Sequence, residues 1–217
     1  EKKKHKLEVV KQLYSGKFVS KIKCTRCGKV NGIEEEFYDI TLTVTKSLED
    51  SLAEYCRIEE MKGADQYECE SCNKVDAEKW ISIRAPPDII QFSLNRFSYD
   101  WKKGTREKID MEMSFPVDGL DLTKFTENPA LDSLGNLYDL FGVIIHDGSP
   151  YAGHYHCLLR DTLKEGSHPK SVDDYDPTDC EWYDFNDSTV TAISKDEIKQ
   201  YFGGSRESAY MLIYRRR

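Results

Sequence analysis

Two pairs of cysteines at identical spacing constrain this chain more than any other feature: Cys24-Thr25-Arg26-Cys27 and Cys69-Glu70-Ser71-Cys72. Each Cys-x-x-Cys turn brings two thiols toward one point, and two such turns supply the four sulfurs that a closed tetrahedral metal site takes. The 41 residues between them exceed the spacing of a compact ribbon. That segment must therefore leave as an excursion whose ends return together. Structural zinc on Cys24, Cys27, Cys69 and Cys72 is the natural occupant, because four thiolates leave no open position for a substrate. Four buried free thiols, or a site that has lost its metal, are the alternatives the spacing leaves open.

The total of seven cysteines is odd. With four of them at metal spacing, it fits a reducing compartment better than a disulfide scaffold. The chain has 217 residues, 39% of them hydrophobic, which is enough for a real core, and one domain with a smaller lobe is the simplest organisation. A formal charge of −8 argues against general nucleic-acid binding and suits either a basic protein partner or plain solubility. No apolar run approaches the roughly 20 residues that span a bilayer. The N-terminal Glu1-Lys2-Lys3-Lys4-His5-Lys6 lacks the apolar segment of a secretory signal. The expectation is a soluble intracellular protein away from membranes. Basic clusters at Lys2 to Lys6 and Arg215 to Arg217 resemble nuclear signals in composition and equally solvated termini, so cytoplasm and nucleus both stay open.

Taken in order, Leu7, Val10, Leu13 and Tyr14 at helical spacing predict a short amphipathic helix ended by Ser15-Gly16. Phe18 to Lys23 alternates as a strand into the first cysteine turn, and the run from Phe37 to Val44 alternates as another. Its acidic start, Glu34-Glu35-Glu36, suits a basic ligand or a solvated edge. Ser47 caps a helix with Asp50 at the capping-box position, and Leu48, Leu52, Tyr55 and Cys56 on its apolar side. Strands follow at Ala77 to Ile83 and Ile89 to Phe97, with Arg96 in a structural role. Tyr99 to Lys108 reads as a polar hairpin-like loop, and Thr123 to Gly135 as a connector. Residues 161 to 181 are rich in Lys, Ser, Asp, Gly and Pro without periodicity, a loop inserted between paired strands. Ser194 with Glu197 caps a helix over Ile193 to Phe202, and Ala209 to Tyr214 closes the chain as a strand.

The chemistry concentrates near the C-terminus. Tyr138 to His146 is a β-branched, apolar strand ending in the turn residues Asp147-Gly148-Ser149-Pro150. A second strand starts at Gly153-His154-Tyr155, which puts His154 at a strand mouth beside a glycine-flanked loop. Trp182-Tyr183-Asp184-Phe185-Asn186-Asp187 brings an amide and a carboxylate to the end of a third strand, where either can orient an imidazole. An imidazole acts as general base when its second nitrogen is held by such an acceptor. A lone histidine beside glycine is more often an ordinary loop residue, so order and context have to carry the assignment.

Together, Tyr138 to His146, Gly153-His154-Tyr155, Trp182 to Asp187 and the closing Ala209 to Tyr214 resemble the ubiquitin-specific proteases, papain-like cysteine deubiquitinases. The Arg96-Phe97 ending of the Ile89 strand, the stretch Met111, Met113, Phe115-Pro116, Leu120-Asp121-Leu122 as the next strand and turn, and the cysteine turns extend the resemblance over nearly the whole chain. It implies an α+β, mainly antiparallel β palm at about residues 84 to 217 and zinc-ribbon fingers at about 18 to 83 that grip ubiquitin. It also implies His154 as general base, Asn186 as orienting residue, Asp187 beside it sharing that role or supporting the oxyanion, and Tyr155 lining the channel for the Gly-Gly tail. The reaction implied is thiol-dependent hydrolysis after that tail, on ubiquitin and ubiquitinated proteins, through an acyl-enzyme.

The family's nucleophile lies in a Gly-Asn-Thr-Cys-Tyr box that these residues lack. Cys24, Cys27, Cys69 and Cys72 are assigned to zinc, Cys56 to a helix core, Cys180 to an exposed loop, and Cys157 to the strand face opposite His154. The expectation is the C-terminal part of a catalytic domain, inactive by itself without its thumb lobe. The rival is a catalytically silent ubiquitin-binding or scaffold module of the same fold. A metalloprotease is a poorer third reading, since His146, His154 and His156 lack helical ligand spacing and HExxH is absent.

Overall fold

A computed structural model describes residues 2–127, 135–161 and 182–217. Most of the 161–181 loop and the connector at 128–134, with Cys180, lie outside the described residues. In chain order the elements are α1 (Lys2–Tyr14), β1 (Gly16–Cys24), β2 (Val30–Phe37), β3 (Ile40–Thr43), α2 (Leu48–Tyr55), β4 (Glu59–Met61), β5 (Tyr67–Cys69), β6 (Asn73–Val75) and β7 (Ala77–Ala85). There follow β8 (Ile89–Asn95), β9 (Phe97–Asp100), β10 (Thr105–Lys108), β11 (Leu120–Asp121), β12 (Leu137–Gly148), β13 (Gly153–Arg160), β14 (Trp182–Asn186), β15 (Thr189–Ile193) and β16 (Glu207–Arg216).

The large sheet runs β15-β14-β13-β12-β16-β8-β3, with β11 joined to β12. Every pairing in it is antiparallel except β3 with β8. Alternation explains its core: Leu140, Val143, Ile145, Leu158, Leu212 and Tyr214 are fully buried. A smaller sheet, β2-β1-β7-β4, carries the first cysteine turn at the end of β1, and the second lies in the separate two-stranded β5-β6 hairpin. The mainly antiparallel palm with cysteine-bearing fingers is therefore present. β3 and α2 lie within the finger segment in sequence, yet they complete the core of the large sheet, where Leu42, Leu48 and Leu52 are fully buried.

Ser47 caps α2 by accepting from the Asp50 backbone N–H at 3.0 Å. Tyr55 and Cys56 pack half-buried at the edge of the core.

Several local expectations change. The strand anticipated from Phe37 to Val44 is two strands: β2 already begins at Val30, and a break at Tyr38-Asp39 sends β3 into the other sheet. The strand anticipated through Phe97 stops at Asn95 because Arg96 turns inward. Its buried guanidinium donates to the carbonyls of Ala209, Ile109, Met111 and Phe202 at 2.7 to 3.0 Å. Met111 to Pro116 forms no strand beyond a single bridge between Ser114 and Ser47, and the strand expected in this stretch is confined to β11. The last helix is a 3-10 helix over Lys195–Tyr201, with the Ser194/Glu197 capping box formed. No described helix is long and apolar enough to cross a membrane.

Candidate active site

β12 and β13 pair through Asp147↔His154 to Gly148↔Gly153, which places His154 at the open end of the sheet. Glycine is required just before it: a Cβ on Gly153 would sit 2.3 Å from His146 Nε2 and 2.6 Å from the Asp147 carbonyl oxygen. On the other side, β14 and β15 form a two-residue hairpin closed by Asn186↔Thr189. Its first turn residue, Asp187, takes the left-handed conformation at φ 52, which acidic and amide side chains tolerate best among non-glycine residues.

The structure brings His154, Asn186 and Asp187 together. His154 Nε2–H donates to Asn186 Oδ1 at 2.8 Å. Asp187 Oδ2 stands 3.8 Å from the same nitrogen, beyond hydrogen-bond reach but close enough to act by charge. The His154 side chain is 43% exposed. With Nε2 engaged, Nδ1 is the ring nitrogen that can take and return a proton.

Tyr155, one residue on, faces away from His154. It lines an open cleft of about 510 Å³ with Phe97, Tyr99, His146, Tyr151 and Tyr210. The β9-β10 hairpin closes over this cleft: the Arg106 backbone N–H donates to the Tyr151 hydroxyl at 2.9 Å. Lys108 Nζ donates to the carbonyls of His146 and Gly148 at 3.2 Å. His146 is buried against Phe97 and Tyr155, and burial, then the Lys108 charge, hold its pKa below the usual value. Sequence reasoning met His146 only as a strand end and in the rejected metalloprotease reading, and did not single out Tyr151 or the Lys108 anchor; an aromatic cleft shared among four separated segments leaves no local pattern.

The four finger cysteines converge, their sulfurs all within 4.8 Å of one another. Cys27 Sγ and Cys69 Sγ are 3.8 Å apart, close to the separation of about 3.8 Å that two thiolates at 2.3 Å on one tetrahedral ion would have. The two turns match: Gly28 and Asn73, the residue after each second cysteine, are both left-handed. The Cys27 backbone N–H points at Cys24 Sγ, which lowers that thiol to about 6, whereas burial first, then the neighbouring thiols, push Cys72 up to about 12. Four thiols so placed can hold a metal ion, which would make them a closed structural site.

Comparison with known proteins gives a consistent result. The family model described as ubiquitin carboxyl-terminal hydrolase matches residues 1–214. Ubiquitin C-terminal hydrolase 12 of Arabidopsis thaliana is 29% identical over 232 residues, covering 94% of this chain and 19% of that protein. Ubiquitin carboxyl-terminal hydrolase 40 of Homo sapiens is 37% identical over 158 residues, covering 71% of this chain and 13% of that protein. A solved SAGA DUB module, Ubp8/Sgf11/Sus1/Sgf73 bound to monoubiquitin, superimposes with a TM-score of 0.77 at 27% identity, over 96% of this chain and 42% of that one. The chain thus spans a fifth or less of the length of these curated relatives.

Proposed function

The chain belongs to the ubiquitin carboxyl-terminal hydrolase family, and from that premise we propose that it supplies the base, the substrate channel and the zinc-bearing fingers of a cysteine deubiquitinase. The observation that carries this reading is the 2.8 Å bond from His154 Nε2 to Asn186 Oδ1. It fixes one tautomer and leaves Nδ1 to take the proton of a thiol and deliver it to the departing amine. The thiolate attacks the carbonyl carbon of the ubiquitin C-terminal glycine, the C–N bond that follows it breaks to leave a thioester, and water, activated by the same imidazole, completes hydrolysis. Asp187, charged and 3.8 Å away, favours the imidazolium that forms in between.

Tyr155 and its aromatic neighbours suit a side-chain-free Gly-Gly tail, since a flat cleft admits backbone where it excludes bulk. Cys24, Cys27, Cys69 and Cys72 hold zinc and so keep the fingers in shape to grip ubiquitin; zinc supplies folding energy there and no chemistry. The partners are ubiquitin and ubiquitinated proteins, met in the cytoplasm or nucleus.

The thiol itself comes from outside these residues. Among the described cysteines, Cys157 lies on the strand face opposite His154 with its thiol pushed up by burial. Burial raises Cys56 to about 11, and the remaining four form the metal cluster. A ubiquitin probe with a C-terminal electrophile tests this: the full natural protein should be labelled and these 217 residues alone should not. Efficient labelling of this chain by itself would overturn the assignment of the thiol, and a full protein that binds ubiquitin but takes no label would be a silent binding module.

A further inference from the structure

β13 and β14 are paired along their backbones only from Arg160↔Trp182 to Cys157↔Phe185. His154 and Asn186 both lie beyond that last rung. Each is held from its far side, His154 by β12 and Asn186 by β15. Backbone hydrogen bonds therefore leave the distance between these two arms unset where the imidazole must meet its acceptor.

One side-chain link reaches from the last rungs, where Asp184 pairs with Leu158, to the first residue of β13 beyond them. His156 Nδ1–H donates to Asp184 Oδ1 at 2.7 Å, and the His156 side chain is only 4% exposed. Residues two apart on a strand share a face, so His154 with Asn186 and His156 with Asp184 are successive cross-strand pairs of the same stagger. The His156 ring is gripped by the edge of Tyr201 at 5.7 Å. Asp147, the neighbouring carboxylate on β12, is taken by Arg206 at 2.9 Å, which leaves Asp184 as the acceptor for His156.

A part-buried polar pair of this kind adds little net stability compared with apolar packing, but it favours one arrangement. We propose that His156 and Asp184 are positioning residues that set the separation of β13 and β14 so that His154 meets Asn186. The catalytic consequence rests on the deubiquitinase reading; the geometric claim does not.

The test has one arm for each. In this chain, ring nitrogen NMR should show His154 as a single tautomer protonated at Nε2. Asp184→Ala should make its signals average between tautomers. Asp184→Asn, whose side-chain oxygen still accepts, should restore the single form. His156→Phe fills the same space without the donor and should behave like Asp184→Ala. A His154 spectrum unchanged in both Asp184→Ala and His156→Phe would overturn the proposal.

In the full natural protein, Asp184→Ala should lower kcat for ubiquitin–amide hydrolysis about tenfold, as small misplacements of catalytic groups do, with KM little changed. That loss should vanish in an Asn186→Ala background, because both changes act through one hydrogen bond. Fully additive losses would overturn the proposal. A wild-type protein without hydrolytic activity would sink the deubiquitinase reading and leave the NMR arm to decide the geometry.

Discussion

Asn186, not the adjacent carboxylate of Asp187, accepts the His154 Nε2 hydrogen bond: the distances are 2.8 and 3.8 Å. An amide oxygen can fix the ring without an opposing charge, so we assign the orienting role to Asn186, with Asp187 acting through solvent-weakened electrostatics. In the full natural protein, Asn186→Ala should reduce kcat by about 10²-fold. Asp187→Asn, which removes the charge but tolerates the left-handed backbone, should cost less than tenfold on that scale. Steady-state hydrolysis of a fluorogenic ubiquitin amide reads both, and the reverse ranking would move the orienting role to the carboxylate.

The finger cluster predicts about one zinc ion per chain, with chelation unfolding the β1-β7 end of the molecule. Cys69→Ser removes one buried thiol of the cluster and should abolish zinc uptake and lower the thermal midpoint sharply. Elemental analysis of a folded sample is the check; a cooperative, metal-free fold would contradict the assignment.

Arg96 makes the stability prediction most separable from chemistry. Its guanidinium reaches four backbone carbonyls from inside the core, and no described carboxylate is hydrogen-bonded to it. Arg96→Met should cost about 3 kcal/mol or more in urea unfolding, since it strips donors from buried acceptors. Metal content should stay the same. A loss under about 1 kcal/mol would show that the carbonyls find other donors.

His146 gives a pH dependence with a definite sign. Its folded-state pKa is lowered, chiefly by burial and then by Lys108. The unfolded chain therefore binds the proton first as pH drops below about 6.5. This contribution to stability is present above that pH and declines as the pH falls toward the lowered folded value. His146→Phe, whose ring suits contact with Phe97 and Tyr155, should flatten the fall in thermal midpoint between about pH 7 and 5. An equally steep fall in the variant would contradict the assignment.

Features with a strong local cause were readable from sequence: the Ser47 cap, the Ser194/Glu197 box, the paired cysteine turns, and the strand ends carrying His154 and Asn186. Each depends on residues within a few positions of one another. Features with a non-local cause were not. Nothing near Tyr38-Asp39 says that β3 will cross to pair in parallel with β8, because that pairing depends on the Ile89 strand some 50 residues away. The cleft under the β9-β10 hairpin needs Arg106 to meet Tyr151 across 45 residues. The His156–Asp184 pair falls between these cases, since its two-residue offset from His154 and Asn186 is visible in sequence once the register of β13 and β14 is known.

Whether His154 is the base is decided by the rate at which the full natural protein cleaves a ubiquitin amide before and after His154→Gln. The wild type should hydrolyse it and the variant should lose at least about 10²-fold in kcat, the usual contribution of a positioned general base, with ubiquitin still bound. Unchanged turnover in the variant, or no turnover by the wild type, would contradict that role.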